Sequence, residues 1–137
     1  MSIAFKNKGD MIYLIGKSYE DINSSEYLNY IHGVEKSPVP HFDLEEEHEI
    51  QEVISGLIKK NLILSAHDVA DGGLFTTLVE SAIVKCFGFD ITPDVSIRKD
   101  AFLFGEAQSR VVVSVSPSNE DRFIDFMIES KVPFSAL

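Results

Sequence analysis

The chain has 137 residues, 45% hydrophobic and 25% charged, with 22 acidic and 12 basic side chains and a formal net charge of −10 at pH 7. This size and composition are typical of one folded domain rather than a disordered segment. The negative charge argues against a nucleic-acid partner, and the sequence shows no signal peptide and no apolar stretch long enough to span a membrane. We therefore expect residues 1–137 to form a single soluble, cytoplasmic domain with no nucleic-acid or membrane partner.

The first half of the chain predicts one strand followed by two helices. A short apolar run closed by a glycine favours a buried strand over residues 10–16. Residues 26–33 have the pattern of a short helix ended by its glycine. After a proline-rich connection, Asp43 suits a helix N-cap, with Glu46 three residues later. The apolar residues of the helix that follows recur at the spacing of one helical face: Ile50, Val53, Ile54, Leu57 and Ile58.

The middle of the chain predicts a strand, a tight turn and a helix. The strand covers residues 62–69, and the turn at residues 70–73 contains a glycine pair. The helix covers residues 74–87, is apolar over most of its surface, and is expected to end at Gly88. Cys86, the single cysteine, lies in this apolar run and is therefore predicted to be buried.

The last third predicts mostly strands. We expect short strands at residues 89–91 and 102–104 and a β-branched strand at residues 110–115. Ser118 suits the cap of a last helix, and a further strand is predicted to begin within residues 132–137. Because that strand has no continuation, we expect a boundary inside a longer chain here. Strands and helices interleave, so the predicted fold class is α+β, an α/β sandwich with a mixed sheet and helices on both faces.

The segment SAHDVADGGL, residues 65–74, is the strongest candidate site. Glycines at a helix N-terminus allow phosphate to approach the backbone amides, and Asp68 at the strand end is a candidate Mg²⁺ ligand. His67, Asp71, Gly72 and Gly73 are then candidate phosphate- or substrate-binding residues. In the alternative interpretation Asp71 caps the helix, the glycines only shape the turn, and His67 is half-buried and hydrogen-bonded locally.

Two further segments carry polar side chains beside predicted elements. In LFGEAQSR, residues 103–110, alternation places Glu106, Gln108 and Arg110 on one face, where the first two can bind a ligand. Arg110 can equally pair with Glu106 as structural support. In SSEY, residues 24–27, the serine hydroxyls can cap the helix that follows or touch a ligand.

These three segments, in this order and spacing, resemble the large subunit of phosphoribosylformylglycinamidine synthase over nearly all of the chain. That family is similar to aminoimidazole ribonucleotide synthetase, whose members pair an ATP-binding domain with an α/β C-terminal domain. This chain resembles the C-terminal type, in the second of two tandem copies. The resemblance implies that Asp68 matches a metal-binding position and that Glu106 and Gln108 match a substrate-contacting segment.

For the whole enzyme, the resemblance implies that ATP activates the formyl amide oxygen of formylglycinamide ribonucleotide and that ammonia displaces the resulting phosphate. The implied cofactors are ATP and Mg²⁺, and the implied partners are the remaining domains of the large subunit, a glutaminase and the small-molecule substrate. No catalytic residue is assigned to this chain, which is expected to be inactive alone and to bind no cofactor tightly. The alternative is a stand-alone regulatory α/β module that binds a phosphorylated ligand.

Overall fold

The structure is a computed structural model that describes residues 1–94 and 96–137. Its elements follow one another in this order: β1 Met11–Ile15, α1 Glu26–His32, α2 Leu44–Lys59, β2 Ser65–Asp68, α3 Gly73–Ile83, α4 Lys99–Phe104, β3 Val111–Val115, a 3₁₀ turn Pro117–Asn119, α5 Glu120–Ser130 and β4 Phe134–Ala136. Among the described residues, none of these helices combines the length and the apolar character needed to cross a bilayer.

The strands form one sheet in the order β2-β3-β1-β4. Each described pairing is antiparallel, with Tyr13 opposite Val113 and Ala66 also opposite Val113 on its other side. This corrects the prediction of a mixed sheet. β1 and β2 do run in the same direction, but β3 lies between them, so neighbouring strands alternate in direction. The order of strands in a sheet is set by tertiary contacts, which the local sequence pattern does not contain.

Helices cover both faces of the sheet, which confirms the predicted α+β class and its layers. On one face, Tyr13 and Ile15 of β1 pack with buried residues of α2 and α5, including Leu57 and Phe123. On the other face, Leu14 packs with α3, α4 and the N-terminal segment, through a second buried cluster: Phe5, Val69, Leu74, Leu78, Ala82, Phe102 and Val112. Because side chains alternate along β1 and β3, each of these strands contributes residues to both cores, one on each face of the sheet.

The predicted cap of α2 is confirmed, and the predicted cap of α5 is not. The Asp43 carboxylate accepts hydrogen bonds from the amides of Glu45 and Glu46, at 2.8 and 3.1 Å, and so caps α2 as predicted. The cap predicted at Ser118 is wrong. Ser116 accepts a hydrogen bond from the Ser118 amide and caps the 3₁₀ turn, which delays the start of α5 to Glu120.

The helix predicted to end at Gly88 ends earlier, at Ile83. The Phe87 amide donates to the Ala82 carbonyl in the turn that follows, and Phe87 packs against the second core. Cys86 takes a positive φ of 54° in this turn and is exposed, so its predicted burial is wrong. The side chain that fills the core at this point is the phenylalanine next to it.

The two short strands predicted around residue 93 are absent from the part of the chain that is described. Residues 89–91 have no regular structure, and residues 102–104 form the end of helix α4. Ala101 and Phe102 are buried, and Phe102 packs in the second core with residues of α3. A run of three apolar residues has no periodicity that distinguishes a strand from one turn of helix, which explains the error.

Candidate functional site

A cleft of about 880 Å³ lies between α2 and the loops that follow β2 and precede β3. One side, here called the helix wall, is formed by three isoleucines of α2: Ile50, Ile54 and Ile58. The other side, here called the loop wall, is formed by residues 68–71 and 106–110. The cleft therefore combines apolar residues of α2 with polar groups on both sides, a combination typical of sites that bind small molecules. The polar residues that α2 contributes are Glu47, Gln51, Ser55 and Lys59.

The pairing of β2 with β3 joins the two parts of the loop wall. In the antiparallel register Asp68, the last residue of β2, lies opposite Val111, the first residue of β3. The Val69 amide then donates to the Arg110 carbonyl at 2.9 Å. Two segments that are far apart in the sequence thus meet where β2 ends and β3 begins.

Glu106 connects all three of the segments that the sequence singled out. One oxygen of its carboxylate, Oε1, accepts hydrogen bonds from the Gly72 amide at 2.8 Å and from the Glu26 amide at 2.7 Å. These amides lie at the N-terminal ends of α3 and α1, where negative charge is favoured. The carboxylate of Glu106 therefore takes the Gly72 amide, one of the amides at the start of α3 where the sequence predicts phosphate binding.

The glycine pair allows the chain to approach itself closely. Gly72 is the N-cap of α3, without a side-chain cap, so the alternative in which Asp71 caps this helix is wrong. Gly73 has a positive φ of 71°. A Cβ atom there would lie only 2.8 Å from the carbonyl oxygens of Leu103 and Gly105. The close contact that needs a glycine is thus with the loop before β3.

Asp68, Asp71 and Gln108 lie in the cleft with their side chains uncommitted. Among the described residues, none makes a side-chain hydrogen bond or ion pair with these three groups. Nor do the described residues bring three or more metal-ligating side chains together. The cleft therefore offers two free carboxylates and an amide, with Asp68 at the strand end as predicted.

His67 lies on the opposite face of the sheet, because neighbouring residues of a strand point to opposite sides. Its Nδ1 is 3.2 Å from Ser81 Oγ, and its Nε2 is 3.3 Å from Glu80 Oε2, both on α3. Its side chain is 14% exposed. This is the half-buried, locally bonded histidine of the alternative interpretation, and it is separated from the cleft by the sheet.

Arg110 is the residue whose role the sequence analysis missed. It is only 2% exposed, and burial lowers the pKa of its guanidinium to about 10. Its Nη2 donates to the Gly105 carbonyl at 2.6 Å and its Nε to the Ala107 carbonyl at 3.2 Å. Within the described residues it makes no ion pair with Glu106 or any other acid, so the alternative in which Arg110 pairs with Glu106 is wrong.

Two serines complete the site. Ser25 caps α1 by accepting a hydrogen bond from the Leu28 amide at 3.3 Å, which confirms the capping interpretation of SSEY. Ser109 Oγ donates to Glu47 Oε2 at 2.8 Å and so joins the loop wall to α2. The sequence carried no signal for this second contact, because it depends on how α2 packs beside the sheet.

Residues 7–136 match the model of the family described as AIR synthase related protein, C-terminal domain. The chain belongs to this family. The match covers every element of the fold and both parts of the loop wall. The matched residues thus include the whole sheet, both helical layers and the residues that line the cleft.

Relatives of this AIR synthase related domain are much longer proteins. The chain is 40% identical over 129 residues to phosphoribosylformylglycinamidine synthase subunit PurL of Caldanaerobacter subterraneus subsp. tengcongensis, covering 94% of this chain and 18% of that protein. It is 43% identical over 122 residues to the protein of the same name from Carboxydothermus hydrogenoformans, covering 89% and 17%. The chain thus spans less than one fifth of the length of these relatives.

Solved structures show the same AIR synthase related fold. T. maritima PurL complexed with FGAR superposes with a TM-score of 0.80 at 16% identity, over 98% of this chain and 24% of that one. Thiamine-monophosphate kinase from Stenotrophomonas maltophilia superposes with a TM-score of 0.55 at 14% identity, over 99% of this chain and 48% of that one. At these identities the likeness establishes the fold alone.

Proposed function

We propose that this chain is one domain of a phosphoribosylformylglycinamidine synthase large subunit, an ATP-dependent ligase of purine biosynthesis. The observation that carries the proposal is the 36–43% identity to subunits of that name over most or all of the chain. Since the chain matches less than a fifth of those proteins, the activity belongs to the assembled subunit. The chain alone is then a part of the enzyme that turns over no substrate.

In the proposed reaction, ATP transfers its γ-phosphoryl group to the formyl amide oxygen of formylglycinamide ribonucleotide. Ammonia attacks the activated carbon, phosphate leaves, and the product is formylglycinamidine ribonucleotide. A glutaminase would supply the ammonia, and the cytoplasm is the expected location. A solved structure described as PurLQS from Thermotoga maritima shares this fold with a TM-score of 0.74, which is compatible with such a partner.

Asp68, Asp71 and Gln108 are the residues that we propose face a ligand. Glu106, Gly72 and Gly73, which were also expected to bind, would instead shape the loop wall, and His67 would stay outside the cleft. The support for this division is that the first three side chains are uncommitted while the others are engaged within the protein.

We propose that Mg²⁺ binds in this cleft, held partly by this chain and partly by ATP and the rest of the subunit. The cleft is lined by four acidic side chains and two basic ones, Glu47, Asp68, Asp71 and Glu106 against Lys59 and Arg110. Phosphate groups would therefore need a cation to enter. Mg²⁺ is commonly held by one or two carboxylates together with phosphate oxygens and water. Asp68 can supply one carboxylate, and the remaining ligands would come from ATP and from the rest of the subunit.

The surface of α1 supports a role inside a larger protein. Each residue of α1 is at least partly exposed, although the stability of a short helix comes mostly from packing. Tyr30 and Ile31 are 79% and 67% exposed, and Val34, just after the helix, is 38% exposed. We propose that this apolar surface packs against the remaining domains of the large subunit.

A chimera tests the proposal. The matching segment of the Caldanaerobacter subunit is replaced by this chain, and ADP release is measured with formylglycinamide ribonucleotide, ATP and ammonia. We expect substrate-dependent ADP release from the chimera, a strong loss with Asp68→Asn, and none from the isolated chain. Glu129→Gln, an exposed acid on α5, is the matched control.

The outcomes separate the two candidate functions. An inactive chimera that folds and assembles like the parent would contradict the synthase assignment. Tight, saturable binding of a nucleotide by the isolated chain would favour a stand-alone regulatory module instead.

A further inference from the structure

Glu106 and Arg110 form one connected network around the loop before β3. The guanidinium of Arg110 donates to the two carbonyls that flank Glu106 in the chain, those of Gly105 and Ala107. The carboxylate of Glu106 in turn receives the amides of Gly72 and Glu26. The buried guanidinium of Arg110 thus holds the backbone on both sides of Glu106. The Glu106 carboxylate in turn holds the amides at the starts of α1 and α3.

The position of Arg110 is costly unless its hydrogen bonds are made. A buried charge is tolerated when it is hydrogen-bonded or paired, and here backbone carbonyls take the place of an acid. The planar guanidinium can donate in two directions at once, whereas a lysine ammonium is a point charge on a flexible stem. The two carbonyls of the loop therefore require an arginine at this position, and a lysine cannot reproduce the geometry.

The loop has little freedom to move once it is held. The Gly105 amide donates to the Ala101 carbonyl at 3.0 Å, and a Cβ atom on Gly73 would be 2.8 Å from the Gly105 carbonyl oxygen. The backbone of the loop is thus in close contact with α4 on one side and with α3 on the other. A shift of the loop would move Glu106, and with it the edge of the cleft.

We infer that Arg110 and Glu106 are positioning residues, which set the loop wall and the starts of α1 and α3 and leave Asp68, Asp71 and Gln108 free for the ligand. Glu106 acts as the internal anion of two helix N-termini. Arg110 acts through the backbone on either side of Glu106. The positioning role concerns the protein itself, whereas the ligand part of the inference and the activity measurement rest on the proposed function.

Amide hydrogen exchange measured by NMR on the 137-residue chain tests the network directly. Glu106→Ala removes the acceptor, and we expect the protection of the Gly72 and Glu26 amides to fall together by about tenfold or more. Glu106→Gln keeps a carbonyl oxygen and should retain part of that protection. Arg110→Lys should lower protection at the same two amides, although Arg110 touches neither.

The Leu57 amide reports whether the fold survives, and Glu129→Gln is the matched control for the loss of one negative charge. Should Arg110→Lys lower protection everywhere, the Glu106→Ala and Glu106→Gln pair decides the inference. Unchanged protection of Gly72 and Glu26 in Glu106→Ala would overturn it. So would a loss at only one of the two amides.

Activity in the chimera separates positioning from ligand contact. If Glu106 positions the wall through its accepting oxygen, Glu106→Gln should restore much of the turnover that Glu106→Ala loses. If Glu106→Gln keeps the amides protected but is as inactive as Glu106→Ala, its charge contacts the ligand and the inference is wrong. A chimera that is inactive with the unaltered chain would contradict the proposed function and leave the exchange result standing.

Discussion

The two walls of the cleft are built by different physical means. The helix wall is one side of the regular helix α2. The buried residues of this helix, Ile50, Val53 and Leu57, pack in the core. The loop wall has irregular backbone, with a positive φ at Ser109, and side-chain to backbone hydrogen bonds hold it in place. Apolar burial therefore stabilises one wall, and satisfied polar contacts position the other.

The two walls should therefore tolerate different amino-acid substitutions. A buried apolar residue can be replaced at a cost that depends on the cavity left behind. A glycine with positive φ in close backbone contact has no replacement of similar conformation. The loop wall should consequently be more sensitive to the smallest possible change of side chain than the helix wall is to a large one.

The substitution Gly73→Ala tests the backbone that supports the loop wall, where the start of α3 lies against the residues just before Glu106. Left-handed backbone is strained for alanine, and the added Cβ meets two carbonyl oxygens at 2.8 Å, so we expect a loss of about 4 kcal/mol in the free energy of unfolding. Urea unfolding of the chain measures it. Gly88→Ala is the control, because a Cβ there has no neighbour within 4 Å. Equal stability of the two variants would contradict the difference between the walls.

The substitution Leu57→Ala tests the packing of α2, the helix that forms the helix wall, on the sheet. Leu57 is fully buried between α2 and the sheet, and we expect its truncation to lower the free energy of unfolding by about 3 kcal/mol. Ile128→Ala, which removes a 64% exposed side chain of α5, should change it by less than about 0.5 kcal/mol. Similar losses from both would show that burial does not stabilise this layer.

The substitution Asp43→Ala has the smallest expected effect, because it removes only the cap of the helix that forms the wall. The amides of Glu45 and Glu46 lose their acceptor, and we expect about 1 kcal/mol less stability in thermal or urea unfolding. Asp43→Asn keeps an accepting oxygen and should be close to the unaltered chain. A full loss with asparagine would assign the effect to charge at the helix start instead.

Much of the helix wall could be predicted from the sequence. The cap at Asp43 and the spacing of the α2 isoleucines are local signals, and both were confirmed. The three polar segments were also recognised, and the structure brings them together at Glu106. Local patterns succeed here because capping and helical periodicity involve residues close together in the chain.

Other features of the site could not be predicted from local patterns. Strand alternation places His67 and Asp68 on opposite faces, but which of the two faces the cleft depends on how α2 and α3 pack on the sheet. Pairing of Arg110 with Glu106 is one of the two alternatives that the sequence leaves open, and Arg110 instead bonds two carbonyls. Cys86 was expected in the core, and an earlier end of α3 places it outside.

The class of the fold, most of its helices and strands, and the segments that border the cleft follow from periodicity, caps and turns within a few residues, and so could be inferred without a structure. The strand order, the helix that packs on each face of the sheet, and the partners of Glu106 and Arg110 are set by long-range packing. Those features depend on which distant segments pack together, and buried polar groups take whatever partner that packing brings within hydrogen-bonding distance.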